Sequence, residues 1–342
     1  MIESMEMSIV SLVVCPSCTG SLVETTEAYV CQRCSKTYPV VDGLPNLTIH
    51  RGVEGGVKER MRDYWDSGWV KRHVNDPRFR SRDTLLRDIG AAEFRNALME
   101  ENSAVEMDEE FVKGKKVLEV GCGQAVASCI FALRGARVVA VDLTSAAAVM
   151  ARTKFKLLGI PQAAYQADAE RLPFGDAVFD IVYSNGVLHH TPDTQKAVDE
   201  VYRVLKPGGH AVVLLYARRS FNYWIRLFLI EGLIRGEIFK RGSSWLGPAT
   251  EKAWDVGENS ENPITKVYSG TQMRELFRRF QVLRLRKHGF YWSELIPLFW
   301  KFIPGYRFMV GRTLNLMPGR LEILIGRFAG FSLTITVQKP TV

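Results

Sequence analysis

Hydrophobic residues in the middle of the chain recur as short runs that end in glycine or in an acid. The first run, residues 117–120, is interrupted by Glu119 and followed by Gly121 and Gly123. An apolar run that ends in glycines is typical of a buried parallel strand that turns tightly into a helix. Glycine lacks Cβ, so the backbone there can bend sharply and approach a ligand closely. The pattern predicts a strand, a turn and a helix, with a ligand site at the turn.

Further apolar runs follow at intervals that suit alternating strands and helices. The second run, residues 136–141, is followed directly by Asp142, which lies 21 residues after Gly121. An acid at that strand end is placed to accept both hydroxyl groups of a ribose; Asp142 can also cap a helix that begins near Ser145, but the ribose role is favoured. The remaining runs predict an α/β fold, with a turn at residues 206–209 and strands over residues 179–185, 211–216, 281–287 and 331–338.

Five blocks in this region occur in a fixed order: E-V-G-C-G (119–123), V-A-V-D (139–142), D-A-E-R-L-P-F (168–174), F-D-I-V-Y-S-N-G-V-L-H-H (179–190) and R-V-L-K-P-G-G (203–209). On these blocks, residues 115–217 resemble the class I S-adenosylmethionine-dependent methyltransferases, and most closely the group that contains the ubiquinone and menaquinone methyltransferases. The resemblance implies a Rossmann-like, doubly wound sheet of seven strands in the order 3-2-1-4-5-7-6. It also implies that the last strand is antiparallel and that S-adenosylmethionine is the cofactor.

The same resemblance implies a set of cofactor-binding residues at the ends of the strands. Asp168 matches the family acid that receives the adenine amino group, and Ala169 would supply a backbone amide. Glu119 interrupts a buried strand and therefore needs a partner, such as a backbone amide or the amine of the methionine part. The full predicted set is Glu119, Gly121, Cys122, Gly123, Asp142, Leu143, Asp168, Ala169 and Asn185. The thiol of Cys122, like that of Cys129, is expected to pack rather than react.

Two histidines follow the fourth predicted strand, at the sheet edge where open α/β sheets bind ligands. A neutral imidazole suits the removal of a proton from a hydroxyl group that attacks the methyl group. His189, with Asp193 four residues later, also resembles the base of small-molecule O-methyltransferases. We therefore predict His189 as the catalytic base, the alternative being a capping or packing histidine.

Residues 1–50 are predicted to form a separate zinc ribbon. Cys15 and Cys18 form one C-x2-C turn, Cys31 and Cys34 form another, and two such turns supply a closed site of four thiolates. Disulfides, a redox pair and a rubredoxin-like iron are the alternatives, with structural zinc favoured. The following run at residues 38–45 resembles the small zinc-ribbon proteins that activate some methyltransferases. Such a module is here expected to be fused in cis, where it packs on its neighbour or extends the acceptor site.

The rest of the chain divides by composition. Residues 51–112 are predicted as a glycine-rich linker at 51–57 and a helical lid with a break near Pro77. Three aromatic residues near its start either pack on the sheet or contact the cofactor: Tyr64, Trp65 and Trp69. Residues 113–342 form the predicted methyltransferase domain, with two aromatic and basic insertions at 218–265 and 290–330.

Composition and charge narrow the partners. With 46% hydrophobic and 24% charged residues, the 342-residue chain has the composition of a soluble protein of about two domains. No apolar run approaches the ~20 residues of a spanning helix, and the N-terminus lacks the basic start of a secretory signal. A cytoplasmic protein is therefore expected. Residues 218–342 carry 20 basic and 9 acidic residues. The excess of basic over acidic residues in this part alone is larger than the net charge of the whole chain, +8.

Basic charge among Trp and Phe predicts either a lipophilic acceptor pocket or peripheral contact with an anionic membrane, while a helical cap is the plain alternative. The leading functional prediction is methylation of a small or lipid-like, hydrophobic acceptor. Methylation of tRNA or rRNA is the first alternative, and a non-catalytic cofactor-binding or activating module is the second. Nucleic acid is less expected, because the basic residues lie among apolar runs and residues 1–50 carry 5 acidic and 2 basic residues.

Overall fold

The strands form two sheets, one small and one large. The computed structural model describes residues 12–49, 56–73, 81–98, 100–101, 105–160, 163–251, 262–290 and 319–341. The small sheet lies in the N-terminal stretch that carries the four clustered cysteines, and its four strands pair antiparallel in sequence order. They are β1 (Leu22–Glu24), β2 (Ala28–Cys31), β3 (Thr37–Val41) and β4 (Leu44–Pro45).

The large sheet has seven strands: β5 (Lys116–Val120), β6 (Arg137–Asp142), β7 (Ala163–Gln166), β8 (Phe179–Asn185), β9 (Leu205–Tyr216), β10 (Gln281–His288) and β11 (Ser332–Gln338). Their order in space is β10-β11-β9-β8-β5-β6-β7. Strands β5 to β9 pair parallel, and β11 pairs antiparallel with both β9 and β10. The predicted order 3-2-1-4-5-7-6 and its antiparallel last strand are confirmed.

Helices cover both faces of this sheet. They are α1 (Val57–His73), α2 (Arg82–Leu98), α3 (Glu109–Val112), α4 (Val126–Leu133), α5 (Ser145–Leu158), α6 (Thr194–Val204), a π-helix (Asn222–Ile234), α7 (Glu237–Arg241), α8 (Leu246–Glu251), α9 (Gly270–Leu276) and α10 (Gly319–Ala329). Side chains of α2, α4 and α5 form the core on one face of the sheet. Side chains of α6, the segment around α9 and the small sheet form the core on the other. A parallel sheet buried on both faces explains why its central strands are mostly apolar.

The small sheet docks on the edge strand β7. Leu47 N donates to Gln166 O at 2.8 Å, and Val14 N donates to Pro173 O at 2.9 Å. Asn46 makes a parallel bridge with Gln166, so the N-terminal segment extends the large sheet by a short strand. We call the described N-terminal part, residues 12–49, the ribbon. It covers a sheet edge that would otherwise expose unpaired backbone groups.

Residues 206–209, predicted to stop a helix and turn, are only partly as expected. The helix stop is confirmed, because α6 ends at Val204, but residues 206–209 lie within β9 and do not form a separate turn. Gly208 has φ +75° there, and the register with β8 is irregular between Phe179 and Ile181. A left-handed glycine thus introduces an irregularity into a longer strand instead of separating two elements.

Parts of the predicted ribbon, linker, lid and both insertions lie outside the described residues. These parts include residues 1–11 and 50–55 of the ribbon and linker, residues 74–80 around the predicted break at Pro77, and residues 252–261 and 291–318 of the two insertions. The described part of the first insertion contains the π-helix, α7 and α8. Across the described segments, we find no helix that has both the length and the apolar character needed to cross a bilayer.

Candidate active site and metal centre

A cavity of about 950 Å³ opens at the carboxyl ends of β5, β6 and β8. This is the upper end of the usual size for a small-molecule site, and the position matches the crevice where open α/β sheets bind ligands. All nine residues of the predicted cofactor set line it: Glu119, Gly121, Cys122, Gly123, Asp142, Leu143, Asp168, Ala169 and Asn185. The structure therefore brings the predicted set together, although the role of each residue stays a prediction.

The turn after β5 requires residues without a side chain. Gly121 has φ +78°, and a Cβ on it would lie 2.3–2.8 Å from side-chain atoms of Val187. Gly123 donates its backbone N–H to Asp142 Oδ2 at 3.0 Å. The glycines thus allow the turn to pack against the loop after β8 while it remains tied to the end of β6.

Asp142 organises the loop that follows β6. Its Oδ1 accepts from Thr144 N at 2.9 Å and from Thr144 Oγ1 at 2.8 Å. Thr144 is the N-cap of α5, so Asp142 supports the cap without being the cap itself. The carboxyl group is buried, and this burial raises its pKa above 3.8. It still lines the cavity, where a carboxylate suits the hydroxyl groups of a ribose.

Glu119 is almost fully buried beneath the glycine turn. Ser128 donates a short hydrogen bond to Glu119 Oε2. Burial raises the pKa of Glu119 from its usual 4.5 to about 8. The carboxyl group is therefore mostly protonated at neutral pH until a cation in the cavity favours its charged form.

Asp168 has a partner that the sequence did not indicate. The ammonium of Lys58, in the first turn of α1, contacts Asp168 Oδ2 and lies 2.7 Å from Glu170 Oε2. Asp168 Oδ1 accepts from Glu170 N at 2.9 Å. Lys58 and Asp168 are 110 residues apart in sequence, and no local pattern connects them.

Helix α1 forms a roof over the cavity. Lys58, Met61 and Trp65 line the cavity at helical spacing. Asp66 Oδ1 accepts from Ala146 N at 2.9 Å, which fixes the roof to the beginning of α5. Tyr64 is buried, as a packing role predicts, whereas the Trp65 ring contacts the His190 ring at a centroid distance of 5.2 Å. The side chain of Trp69 lies outside the described part of the chain.

The two histidines are placed differently. His189 does not line the cavity; it is fully buried, its ring lies 3.8 Å from that of Tyr216, and neither ring nitrogen has a hydrogen-bond partner among the described residues. Burial lowers its pKa well below 6.5. His190 lines the cavity, and its Nδ1 lies 3.0 Å from Ile264 O. The sequence pattern could not separate these adjacent residues.

A second wall of the cavity is polar. Asp88, Arg95 and Asn96 of α2 line it together with Glu101. The signal in the sequence is the spacing 88, 92, 95 and 96, which places the polar residues and Ala92 on one face of a helix. That spacing alone does not distinguish a cavity wall from a solvated face.

The four ribbon cysteines converge on one point. Cys15 Sγ lies 3.7 Å from Cys34 Sγ, and Cys18 Sγ lies 3.5 Å from Cys31 Sγ. All four sulfurs lie within 4.8 Å of one another. Sulfurs at 2.3 Å from a tetrahedral ion are about 3.8 Å apart, so this arrangement fits a metal. No pair is joined as a disulfide.

Comparison with known proteins agrees with the fold. A family model described as a methyltransferase domain matches residues 118–213. An uncharacterized methyltransferase of Synechocystis sp. is 37% identical over 154 residues, which cover 44% of this chain and 68% of the relative. The ubiquinone biosynthesis O-methyltransferase of Pseudomonas putida is 31% identical over 186 residues, which cover 50% of this chain and 79% of the relative.

Among solved structures, geranyl diphosphate C-methyltransferase of Streptomyces coelicolor superposes with a TM-score of 0.50. The match covers 84% of this chain and 99% of that one at 15% identity, so the likeness concerns the fold alone. The two relatives, together with the family model and the sheet order, place the chain among the class I S-adenosylmethionine-dependent methyltransferases. The chain belongs to this family and is an enzyme of that class. S-adenosylmethionine is its cofactor, and the acids at the strand ends fit the cationic amine, the ribose and the adenine of that molecule.

Proposed function

We propose that this methyltransferase acts on a hydroxyl group of a hydrophobic, ring-containing or lipid-like acceptor. The observation that carries the proposal is the extension of the cavity beyond the predicted cofactor residues to an aromatic and apolar wall: Met61, Trp65, Val187, Leu214 and Tyr216. An apolar lining with a few placed polar groups is usual for small hydrophobic ligands. The relative from P. putida, an O-methyltransferase of ubiquinone biosynthesis by name, supports a hydroxyl as the acceptor.

S-adenosylmethionine supplies a methyl group on a positively charged sulfur, which a nucleophile displaces directly. The protein then contributes alignment, exclusion of water and, for a hydroxyl acceptor, removal of a proton. Met61 and Trp65 of the roof exclude water from above the cavity. Tyr216, the last residue of β9, lines the cavity, and its ring packs against the ring of His189. In this position it supports a flat acceptor.

His190 is the proposed base, because it lines the cavity and His189 does not. Ile264 O can only accept, so the hydrogen bond at 3.0 Å places a proton on Nδ1 and leaves Nε2 as the basic nitrogen. Thr265 Oγ1 lies 3.2 Å from the same Nδ1 and can also accept from it, while Asn262 Nδ2 donates to Thr265 Oγ1 at 3.2 Å and holds that hydroxyl beside the ring. Burial lowers the pKa of His190 to about 4, so the ring is neutral at physiological pH.

Single-turnover kinetics on His190→Gln and His189→Ala, with alkyl-substituted catechols as acceptors, test this assignment. We expect His190→Gln to lower turnover by about a hundredfold with unchanged cofactor affinity, and His189→Ala to have a smaller effect. The wild-type rate should fall only as the pH drops toward the pKa of His190 at about 4. A full rate for His190→Gln rules out this base, and a selective loss in His189→Ala would instead support the role predicted for His189.

We also propose that the four ribbon cysteines hold one structural zinc ion. The distances between their sulfurs fit a closed tetrahedral site, and such sites contribute directly to folding. Metal analysis of the purified protein should find one zinc per chain. Cys31→Ser should lose it, while Cys129→Ser, a change at a buried cysteine outside the cluster, should keep it. A protein without zinc or with iron contradicts the assignment.

A further part of the proposal is contact with an anionic membrane surface. The π-helix turns apolar residues outward with exposures between 37% and 72%: Trp224, Ile225, Leu229, Leu233 and Ile234. The two nearby acids, Glu231 and Glu237, are buried and paired with Arg235 and Arg241 at 2.8 Å. Arg218, Arg219 and Lys240 are exposed, so the surface is both apolar and cationic. Such a surface suits anionic lipid headgroups above an acyl layer.

Co-sedimentation with phosphatidylcholine vesicles, with and without phosphatidylglycerol, tests this contact. Wild type should bind only the anionic vesicles, and the double variant Leu229→Ser and Ile234→Ser should lose binding. Leu133→Ser, an equally exposed leucine at the end of α4, is the control and should bind normally. Equal binding of all variants, or binding of tRNA through the same residues in a filter assay, would exclude the membrane contact.

A further inference from the structure

The ion pair between Lys58 and two acids has a place in the fold that suggests a role in binding. Lys58 Nζ contacts Asp168 and lies 2.7 Å from Glu170, and the side chains of these acids are only 14% and 5% exposed. In the described segments, no other cation forms an ion pair with either acid. Two carboxylates held this close and this far from water repel each other strongly without a cation between them.

Glu170 is fixed independently of Lys58. Its Oε1 accepts from Asp193 N, at the N-cap of α6, at 2.8 Å. Its backbone N–H in turn holds Asp168 Oδ1. Lys58 therefore fastens the roof helix to a rigid part of the domain, and it does so through an acid that lines the cavity.

The same helix reaches the other parts of the site. Asp66 binds the beginning of α5, beside the loop after Asp142, and Trp65 contacts His190 on the acceptor side. Eight residues of helix, about 12 Å, separate Lys58 from Asp66. The roof is thus attached at the end near Asp168, at the start of α5 and at the proposed base.

We propose that Lys58 is a positioning residue that latches α1 over the adenine end of the cofactor and thereby couples cofactor binding to formation of the acceptor wall. The inference rests on the proposed placement of adenine at Asp168. A carboxylate offers about four acceptor positions, of which Lys58 and Glu170 N occupy two, so an adenine amino group can bind Asp168 at the same time. Closure then retains the cofactor and brings Met61 and Trp65 into the acceptor pocket.

The test compares Lys58→Met, which removes the charge but keeps most of the stem, with Lys113→Met. Lys113 forms an exposed pair with Glu109 on the short helix α3, away from the cavity, and is the matched control. Calorimetry with S-adenosylhomocysteine should show about tenfold weaker binding for Lys58→Met and no change for Lys113→Met. Stopped-flow dissociation should assign the loss to faster release, and acceptor KM should rise more than kcat falls.

A merely structural role is distinguished by hydrogen exchange in α1. In wild type, S-adenosylhomocysteine should protect the amides of residues 57–66; in Lys58→Met this protection should be lost while that of β5 and β6 remains. Glu170→Gln should weaken binding less than Lys58→Met, because Lys58 still pairs with Asp168, and the double variant should be no weaker than Lys58→Met alone, because both changes act on the same latch.

Two results overturn the proposal. One is wild-type affinity with normal protection of α1 in Lys58→Met. The other is the same loss of affinity in Lys113→Met. Asp168→Ala separates failure of the latch from failure of the cofactor placement. If Asp168→Ala binds S-adenosylhomocysteine normally, the placement of adenine is wrong; if it loses binding while Lys58→Met does not, only the latch is wrong.

Discussion

Glu119 and Asp142 flank the same glycine turn, and burial raises the pKa of both carboxyl groups. The consequence differs between them, because Asp142 accepts hydrogen bonds from Gly123 and Thr144, on two segments of the chain, whereas those to Glu119 come from Ser128. Asp142 is therefore prepared for a neutral donor such as a hydroxyl group. Glu119 can change its charge when a cation arrives.

Cofactor binding should release a proton from Glu119. The pKa of Glu119 in the folded protein without cofactor, about 8, lies above its usual value of 4.5. The stability gained from the protonated form is therefore complete below pH 4.5 and is lost as the pH rises through 8. A cofactor ammonium favours the carboxylate, so affinity should increase with pH up to about 8. Calorimetry at pH 7 in buffers of different ionisation enthalpy should show release of more protons by wild type than by Glu119→Gln. Identical proton counts would show that Glu119 does not meet the amine.

Asp142→Ala should lose cofactor affinity. A carboxylate that receives two hydroxyl groups contributes about 1.5–3 kcal/mol, which corresponds to roughly a tenfold to hundredfold change in affinity. Asp176→Ala, a change at an exposed acid that pairs with Arg203 and does not line the cavity, is the control and should leave the affinity for S-adenosylhomocysteine unchanged. Equal affinities of wild type and Asp142→Ala in calorimetry would refute the ribose assignment.

Whether a residue of the site could be predicted from the sequence depends on how far away its partner lies along the chain. The strand-end acids could be predicted, because a short motif fixes both the element and the residue at its end. Lys58 and Asp66 could not, because their partners lie 110 and 80 residues away. The choice between His189 and His190 depends on which ring faces the cavity, and the turn that decides this is a single 3-10 turn with no periodicity to reveal it.

At the scale of elements, the turn between β5 and α4 depends on the absence of one side chain. Gly121→Ala would place a methyl group 2.3 Å from Val187 Cγ2 in a left-handed conformation that costs about 1–2 kcal/mol. We expect loss of cofactor binding, with the sheet retained by circular dichroism. Because the clash is with a side chain, adding Val187→Ala should restore part of the affinity.

Gly159→Ala is the matched control for this turn. Gly159 has φ +70° at the end of α5, but a Cβ there would meet nothing within 4 Å. The variant shares the backbone strain and lacks the clash, so it should lower the free energy of unfolding without changing cofactor affinity. If both variants bind the cofactor equally well, the close approach of Gly121 to Val187 has no part in the site.

The elements that periodicity predicts well are those buried on both sides. Strands β5, β6 and β8 are mostly apolar runs, and their ends were predicted to within one or two residues. Residues 206–209 are an exception to prediction from the sequence pattern, because Pro and Gly usually mark a turn but here lie within an irregular strand. The π-helix is a second exception. Apolar residues in a helix are usually expected in a core, but five of them here are exposed: Trp224, Ile225, Leu229, Leu233 and Ile234.

At the scale of the whole molecule, the ribbon and the methyltransferase domain share one hydrophobic core. Cys15, Tyr38 and Leu47 of the ribbon belong to the same buried cluster as Tyr165 and Phe174 of the domain. Cysteine spacing predicts the cluster of thiols, but no sequence pattern indicates that this module pairs with β7. The reason for this docking site is the strand order, which leaves β7 at an edge of the sheet with backbone groups free to pair with the ribbon.

That docking brackets the predicted adenine segment. Leu47 N bonds Gln166 O just before Asp168, and Val14 N bonds Pro173 O just after it. The Gln166 side chain also donates to Leu143 O at 3.0 Å, so the ribbon reaches the loop after β6 through one residue. A folded ribbon therefore holds both ends of the segment that carries Asp168 and Ala169.

Removal of the metal should consequently weaken cofactor binding as well as unfold the ribbon. Without the ion nothing joins the four cysteines, and a unit of this size has too little core to stay folded alone. Calorimetry with S-adenosylhomocysteine on chelator-treated protein should show an affinity reduced by about tenfold, restored on addition of zinc. Cys31→Ser should match the chelated protein and show no further response to chelator. An unchanged affinity after complete metal loss would mean that the methyltransferase domain holds residues 166–173 by itself, with the ribbon bound to its edge as a passive cover.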